Sequence, residues 1–188
     1  MKISKRTNIA TAVFIRGVVE DCDELKKDIP QVAFIGRSNA GKSSVINSLT
    51  KQKDLARVSS FPGRTQEINL FLINKSLYLI DLPGYGFAKA SKQARERLQA
   101  LINWYLFLSG YKQKLIVLIV DAELGPTFSD LEMLQSLAKY KKNVVVLANK
   151  VDKIKKSSYQ KQMDSIQKKV GTYPVIPYSA KNKINVNL

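Results

Sequence analysis

The chain has 188 residues, 31 Lys+Arg against 15 Asp+Glu, a formal net charge of +16, one cysteine and no histidine, and at roughly 150 residues per domain it is one domain with little left over. No imidazole base or His-ligated metal is available, and the single Cys22 excludes a disulfide framework or a Cys-cluster zinc site. Chemistry has to come from Lys, Asp, Ser, Thr, Asn and backbone amides. No apolar run approaches the roughly 18 residues that cross a bilayer, and the basic start has no small-residue cleavage pattern behind it. The expectation is a cytoplasmic globular protein without integral membrane association.

Along the chain, short runs rich in β-branched residues alternate with longer amphipathic stretches, the pattern of βα units stacked into a largely parallel α/β sheet. Residues 1–30 read as a lead-in, strand-like over 10–19, to a domain spanning 31–188. Strands are predicted at 31–35, 67–73, 77–81, 115–121, 144–148 and 174–178. Helices are predicted at 42–49, 92–108, 129–139 and 157–170, the second marked by Leu98, Leu101, Ile102 and Tyr105 at three- and four-residue spacing. The connection Asn74-Lys75-Ser76 is short enough only for an antiparallel hairpin, so one antiparallel pair is expected in an otherwise parallel sheet.

After the first of these strands comes Gly36-Arg37-Ser38-Asn39-Ala40-Gly41-Lys42-Ser43, a GxxxxGK[ST] phosphate loop in the strand-to-helix context that the motif requires. Its glycines let backbone N–H groups turn onto phosphate oxygens and the following helix adds its positive end. Lys42 would neutralise β/γ charge and Ser43, with Ser44 beside it in the cradle, would offer an oxygen to Mg²⁺. Asp81-Leu82-Pro83-Gly84 closes the 77–81 strand, where open α/β sheets bind ligands. Asp81 is expected to hold Mg²⁺ through water and the Gly84 N–H to meet a γ-phosphate. Asn149-Lys150-Val151-Asp152 follows another apolar strand. There a carboxylate can accept from the ring N–H and exocyclic amine of guanine, a donor pair adenine lacks, and a buried acceptor left unpaired rejects the wrong base. Asn149 would brace the loop and the Lys150 stem would cover one face of the ring. Ser179-Ala180-Lys181 would complete the pocket with the Ala180 N–H on the guanine carbonyl. In Phe61-Pro62-Gly63-Arg64-Thr65-Gln66, where Pro and Gly resist regular structure, Thr65 would close over Mg²⁺ when a γ-phosphate is present.

These five elements, in this order, resemble the Ras-like domain of the translation-factor-like P-loop GTPases. Pro62-Gly63-Arg64-Thr65-Gln66 with Asn69 and Phe71, joined to Asp81-Leu82-Pro83-Gly84-Tyr85-Gly86, is similar to the EngB family of bacterial ribosome-assembly GTPases. The resemblance implies a six-stranded mixed sheet flanked by helices on both faces. It also implies GTP and GDP as ligands, and a role in late maturation of the large ribosomal subunit by a monomeric GTPase. Only seven residues follow Lys181, whereas the family closes with a further amphipathic helix, so a C-terminal helix is expected to be short or missing and the last strand partly uncovered.

In Ras-type enzymes a glutamine after the DxxG glycine orients the attacking water; here that position is Tyr85, so intrinsic turnover is expected to be slow. Three sources of assistance stand open: K⁺ held by Asn39, as in the potassium-activated GTPases that this chain resembles; Arg64 acting in cis; or a ribosomal partner. Asn39 has a second reading as a brace for its own loop. From residue 139 onward there are 12 Lys, no Arg, and only Asp152 and Asp164 as acids, a candidate RNA-facing surface whose binding should weaken with salt. The functional expectation is a switch in which 57–65 and 84–91 order with GTP and the ordered form docks on a maturing subunit. The alternatives are a guanine-nucleotide sensor without useful turnover and a G domain acting in cell division or at the membrane surface.

Overall fold

A computed structural model gives the architecture and describes residues 8–56, 67–86 and 91–185. Its elements are β1 (Ala12–Val18), α1 (Asp23–Lys26), β2 (Gln31–Gly36), α2 (Lys42–Thr50), β3 (Ile68–Ile73), β4 (Leu77–Asp81) and α3 (Lys92–Asn103), then β5 (Gln113–Asp121), α4 (Phe128–Lys139), β6 (Val144–Asn149), α5 (Tyr159–Val170) and β7 (Val175–Pro177). The strands form one sheet in the order β1-β3-β4-β2-β5-β6-β7.

The sheet has seven strands rather than the six expected, because part of the lead-in joins it. Ala12–Val18 pairs antiparallel with β3, from Ala12 opposite Ile73 to Val18 opposite Ile68. The β3–β4 hairpin adds a second antiparallel pair, where one was expected. Asn74 and Lys75 turn that hairpin with φ of 48° and 55°, as a two-residue turn matching strand twist demands. The Asn74 side chain also accepts from the Ala10 and Thr11 amides at 2.8 and 2.9 Å, so the turn residue itself holds the approach to β1. All the remaining pairs are parallel.

Alternating residues of the central strands feed two cores. Ala33, Ile35, Ile116, Leu118, Val120, Val144 and Val146 face α3, α4 and α5, with Ile102, Leu137 and Ile166 packed among them. Phe34, Val117, Ile119 and Leu147 face Val45 and Ile46 of α2. Strands buried on both sides are apolar throughout, which is why β5 and β6 read as unbroken aliphatic runs.

The stretch predicted as one helix over 92–108 changes pitch. It is α-helical to Asn103 and continues as a π-helical turn, Trp104–Leu108. The Ser109 amide donates to Trp104 O, five residues back, at 2.8 Å. The carbonyl an α-helix would have used, Tyr105 O, is taken by the Ser109 hydroxyl and by Gln113 Nε2, each at 3.0 Å. The Tyr105 hydroxyl donates to Gln31 Oε1 at 2.8 Å, and Gln31 Nε2 donates to Leu25 O at 3.0 Å. A buried polar chain thereby ties the π turn to β2 and to the helix of the lead-in, with no side-chain group in it left unpaired.

Because β2, β4, β5 and β6 run in one direction, their last residues, Gly36, Asp81, Asp121 and Asn149, emerge along one sheet edge. Asp121 lies opposite Asn149, and Phe34, two residues before Gly36, lies opposite Asp81. Every loop singled out by its sequence, where described, starts from that edge.

Candidate functional site

The 36–42 loop leaves β2 and enters α2 at Gly41, whose φ of 93° is left-handed and whose position leaves the helix without a side-chain cap. The first intrahelical bond runs from the Val45 amide to Gly41 O at 2.9 Å, so the amides of Lys42, Ser43 and Ser44 find no acceptor within the helix. Ala40 N–H closes on Arg37 O at 3.0 Å and Ser38 N–H on Tyr85 O at 2.9 Å, with the Ser38 hydroxyl on the same Tyr85 carbonyl at 3.0 Å. The loop is thus fixed from outside while its helix-proximal amides stay available, the donor set an anion requires. Asn39, exposed at the lip, has φ of 68°, a conformation asparagine tolerates better than most residues.

Lys42 forms an ion pair with Asp81 at the crevice floor, where both side chains are almost wholly buried. A lone charge of either sign would be costly there; side by side they compensate. The same pair can receive an incoming pair of opposite charges, a phosphate on the ammonium and a divalent cation on the carboxylate, so the residues present fit both groups.

At the other end of the crevice Asn149 is 2% exposed. Its Nδ2 donates to Ala40 O at 2.9 Å, and its Oδ1 accepts from the Ala180 amide at 3.4 Å. The brace predicted for Asn149 is present, but the Ala180 N–H meets Asn149 rather than open space for a base. Lys150, in the left-handed region at φ 68°, sends Nζ to Asn39 O and to Asp121 Oδ2, both at 2.6 Å. Its stem therefore spans from the base loop to the phosphate loop. Asp152 Oδ1 accepts from the buried Ser179 hydroxyl at 2.5 Å, and Ser179 Oγ in turn accepts from the Asn182 amide at 3.0 Å, which orients the carboxylate and leaves its second oxygen for a ligand. Lys181 follows on the exposed rim. Gly63, Arg64 and Thr65 lie outside the described residues, as do 87–90 of the second expected switch.

Two contributing residues carry no motif. Asp121 anchors Lys150; its only trace in the sequence is an acid at the end of an aliphatic strand. Asp130 is 2% exposed. Its Oδ1 accepts from the Tyr85 hydroxyl at 2.6 Å, and its Oδ2 caps α4 by accepting from the Thr127 amide and hydroxyl at 2.8 and 2.7 Å. Burial, then the neighbouring Asp130 charge and hydrogen bond, push the Tyr85 phenol well above the ordinary tyrosine range. Gly84 sits against the phosphate loop, and a Cβ there would come within 3.2 Å of Ser38 Oγ.

A family model described as a 50S ribosome-binding GTPase matches residues 31–150. A probable GTP-binding protein EngB of Acholeplasma laidlawii is 45% identical over 161 residues, 86% of this chain and 84% of the relative. The chain belongs to the EngB family of GTP-binding proteins. An EngB relative from Clostridium perfringens is 42% identical over 178 residues, covering 93% of this chain and 90% of its own. The crystal structure of a probable EngB superposes with a TM-score of 0.66 at 29% identity, over 83% of this chain and 92% of that one. Era, solved with MgGDPNP and nucleotides 1506–1542 of 16S ribosomal RNA, superposes with a TM-score of 0.65 at 27% identity, over 84% of this chain and 53% of Era. This EngB-family chain is therefore a P-loop GTPase and a guanine-nucleotide-binding protein. Among the described residues, no helix is long and apolar enough to cross a membrane.

The glycine at 41 is the most constrained position of this EngB-family site. A Cβ there would meet Asn149 Nδ2 at 2.4 Å in a left-handed backbone. Gly41→Ala is expected to lower guanine-nucleotide affinity at least tenfold, about 1.4 kcal/mol or more, by displacing Asn149 from Ala40. Titration with a fluorescent GDP analogue measures it, and affinity within twofold of the parent would contradict the clamp.

Proposed function

We propose that this protein is a slow GTPase switch that binds GTP with Mg²⁺ and docks in that form on a maturing large ribosomal subunit. The observation that carries the nucleotide half is the crevice in which the uncapped amides of α2, the Lys42–Asp81 pair and the Ser179-oriented Asp152 carboxylate face one another from three strand ends. The triphosphate would lie against Gly36 to Ser44, with Lys42 on its outer phosphates. Ser43 and Thr65 would hold Mg²⁺ directly and Asp81 through water. Bound there, the metal would supply charge neutralisation on the β- and γ-phosphates. The Gly84 amide would face the γ-phosphate, and Asp152 would accept from the two guanine donors while Lys150 covers the ring.

Slow turnover follows from Tyr85. Its side chain is committed to buried Asp130, so the residue after the DxxG glycine presents only backbone to the crevice. Asn39, at the lip, is the proposed K⁺ ligand, with its role in shaping the loop as the competing account. Asn39→Gly keeps the left-handed backbone while removing the amide; it should abolish any gain in steady-state GTP hydrolysis on replacing Na⁺ by K⁺. A parental rate identical in both salts would remove K⁺ from the mechanism and favour the nucleotide-sensor reading.

Asp152→Asn reverses one donor–acceptor relation at the base. It is expected to cost GTP at least a hundredfold in affinity, about 2.7 kcal/mol, and to raise affinity for xanthosine triphosphate. Unchanged GTP binding by calorimetry would refute the pocket assignment.

Support for the ribosomal half comes from the family description as a 50S ribosome-binding GTPase and from the net charge of +16. Co-sedimentation with large subunits across a salt series should give binding with a non-hydrolysable GTP analogue that exceeds binding with GDP or without nucleotide. Equal binding in all three states would reduce the interaction to polycation adhesion.

A further inference from the structure

The lysines of the chain's second half do not form one face. Lys150 is consumed by Asp121 inside the site and Lys153 pairs with Glu123 at 3.6 Å. Lys139, Lys141 and Lys142, by contrast, come together with Lys112 and Lys114 from a different stretch, at the amino ends of β5 and β6. Segments 104–114 and 138–144 contain these five lysines and no acid, and none of the five forms an ion pair among the described residues. The acid that reaches this end, Asp21, is already engaged by the Tyr111 hydroxyl and by Lys26.

Between the two segments lies a pocket of about 370 Å³ whose lining includes Phe107, Tyr140, Lys112, Lys141 and Lys142. The Tyr140 ring stacks on Phe107 with centroids 4.5 Å apart and planes at 29°, yet Tyr140 is 46% exposed, so the face turned from Phe107 is the open one. Phe107 is fixed by the π turn. The same Gln113 that seals that turn accepts from Lys142 Nζ through Oε1 at 2.7 Å, which sets an ammonium beside the aromatic pair. Burial lowers the Lys142 pKa, a cost that a nearby phosphate would offset. An aromatic platform already stacked on one side, flanked by unpaired cations, is how single-stranded nucleic acid is held without base-specific hydrogen bonds.

From Tyr140, its stack on Phe107 and the surrounding lysines, we infer a binding site for single-stranded RNA at the sheet edge opposite the nucleotide crevice, one base on the open Tyr140 face and its phosphates on Lys112, Lys141 and Lys142. The nine residues of β5 separate the two sites by about 26 Å at roughly 3.3 Å per residue. The inference deepens the ribosomal reading proposed above and rests on it for the source of the RNA.

The test is fluorescence anisotropy of a short labelled oligouridylate with the full chain loaded with a non-hydrolysable GTP analogue, over a salt series. Tyr140→Ala should weaken binding at least about fivefold while Tyr140→Phe stays within twofold. Lys141→Gln with Lys142→Gln should flatten the slope of log affinity against log salt by about one unit. Lys161→Gln with Lys168→Gln on the exposed face of α5 should change little. GTP-analogue affinity and Tm identify any variant that fails to fold; the Lys141/Lys142 pair, being at the surface, carries the test if Tyr140→Ala does. Three results would overturn the site: full binding by Tyr140→Ala, equal losses from the α5 pair, or displacement of the RNA by phosphatidylglycerol vesicles as effectively as by unlabelled oligonucleotide. A parent that shows the expected pattern but does not sediment with large subunits would remove the ribosomal reading and leave the RNA site standing. Analogue-dependent sedimentation without the pattern would do the reverse.

Discussion

One buried side-chain amide organises the nucleotide end of this molecule. Asn149 has almost no exposure, and its two polar atoms reach the phosphate loop at Ala40 and the terminal loop at Ala180, so three loops from distant parts of the chain share one rigid point. The arrangement is possible only because residue 41 has no Cβ. The glycine usually explained by phosphate access is here equally a matter of clearance for an asparagine more than a hundred residues away. Lys150 repeats the link one residue later, from Asn39 O to Asp121. A ligand entering this crevice meets a frame whose orientation has been fixed in advance, which lowers the entropy lost on binding.

Much of this was legible in the chain. Gly36, Lys42, Asp81, Asn149 and Asp152 are announced by fixed spacing, because a strand-to-loop transition at one sheet edge leaves few ways to present those groups. The central strands show through as aliphatic runs because both their faces are buried. Less visible was β1: Val13, Phe14 and Arg16 alternate poorly, since an edge strand carrying a bulge between Phe14 and Arg16 is half in solvent, and its pairing depends on Asn74 at a distant turn. The π turn was hidden too. Helical periodicity persists through Trp104–Leu108, and the switch of pitch depends on Ser109 and Gln113 competing for Tyr105 O, a contact no local pattern encodes. Asp121 and Asp130 were missed for a similar reason, as their partners come from other elements.

Charge shows the same separation between what composition reveals and what folding decides. A surplus of 16 positive charges says that the protein will seek anions, but the lysine-rich half divides in three dimensions into cations neutralised within the crevice, cations spread over α5, and cations gathered around Tyr140. Only the last group is joined by lysines from elsewhere and by an aromatic stack. Counting lysines along the chain merges these populations.

Tyr85 has one more consequence. Its carbonyl takes two hydrogen bonds from Ser38 in the phosphate loop, and its phenol shares the carboxylate that caps α4. Withdrawing it would strip a buried carboxylate of one donor, a loss of about 1–3 kcal/mol, and would loosen the first turn of a helix carrying exposed Phe128 beside exposed Leu124. The loop after Gly84 and the start of α4 therefore behave mechanically as one part, hinged to the phosphate loop by a single tyrosine.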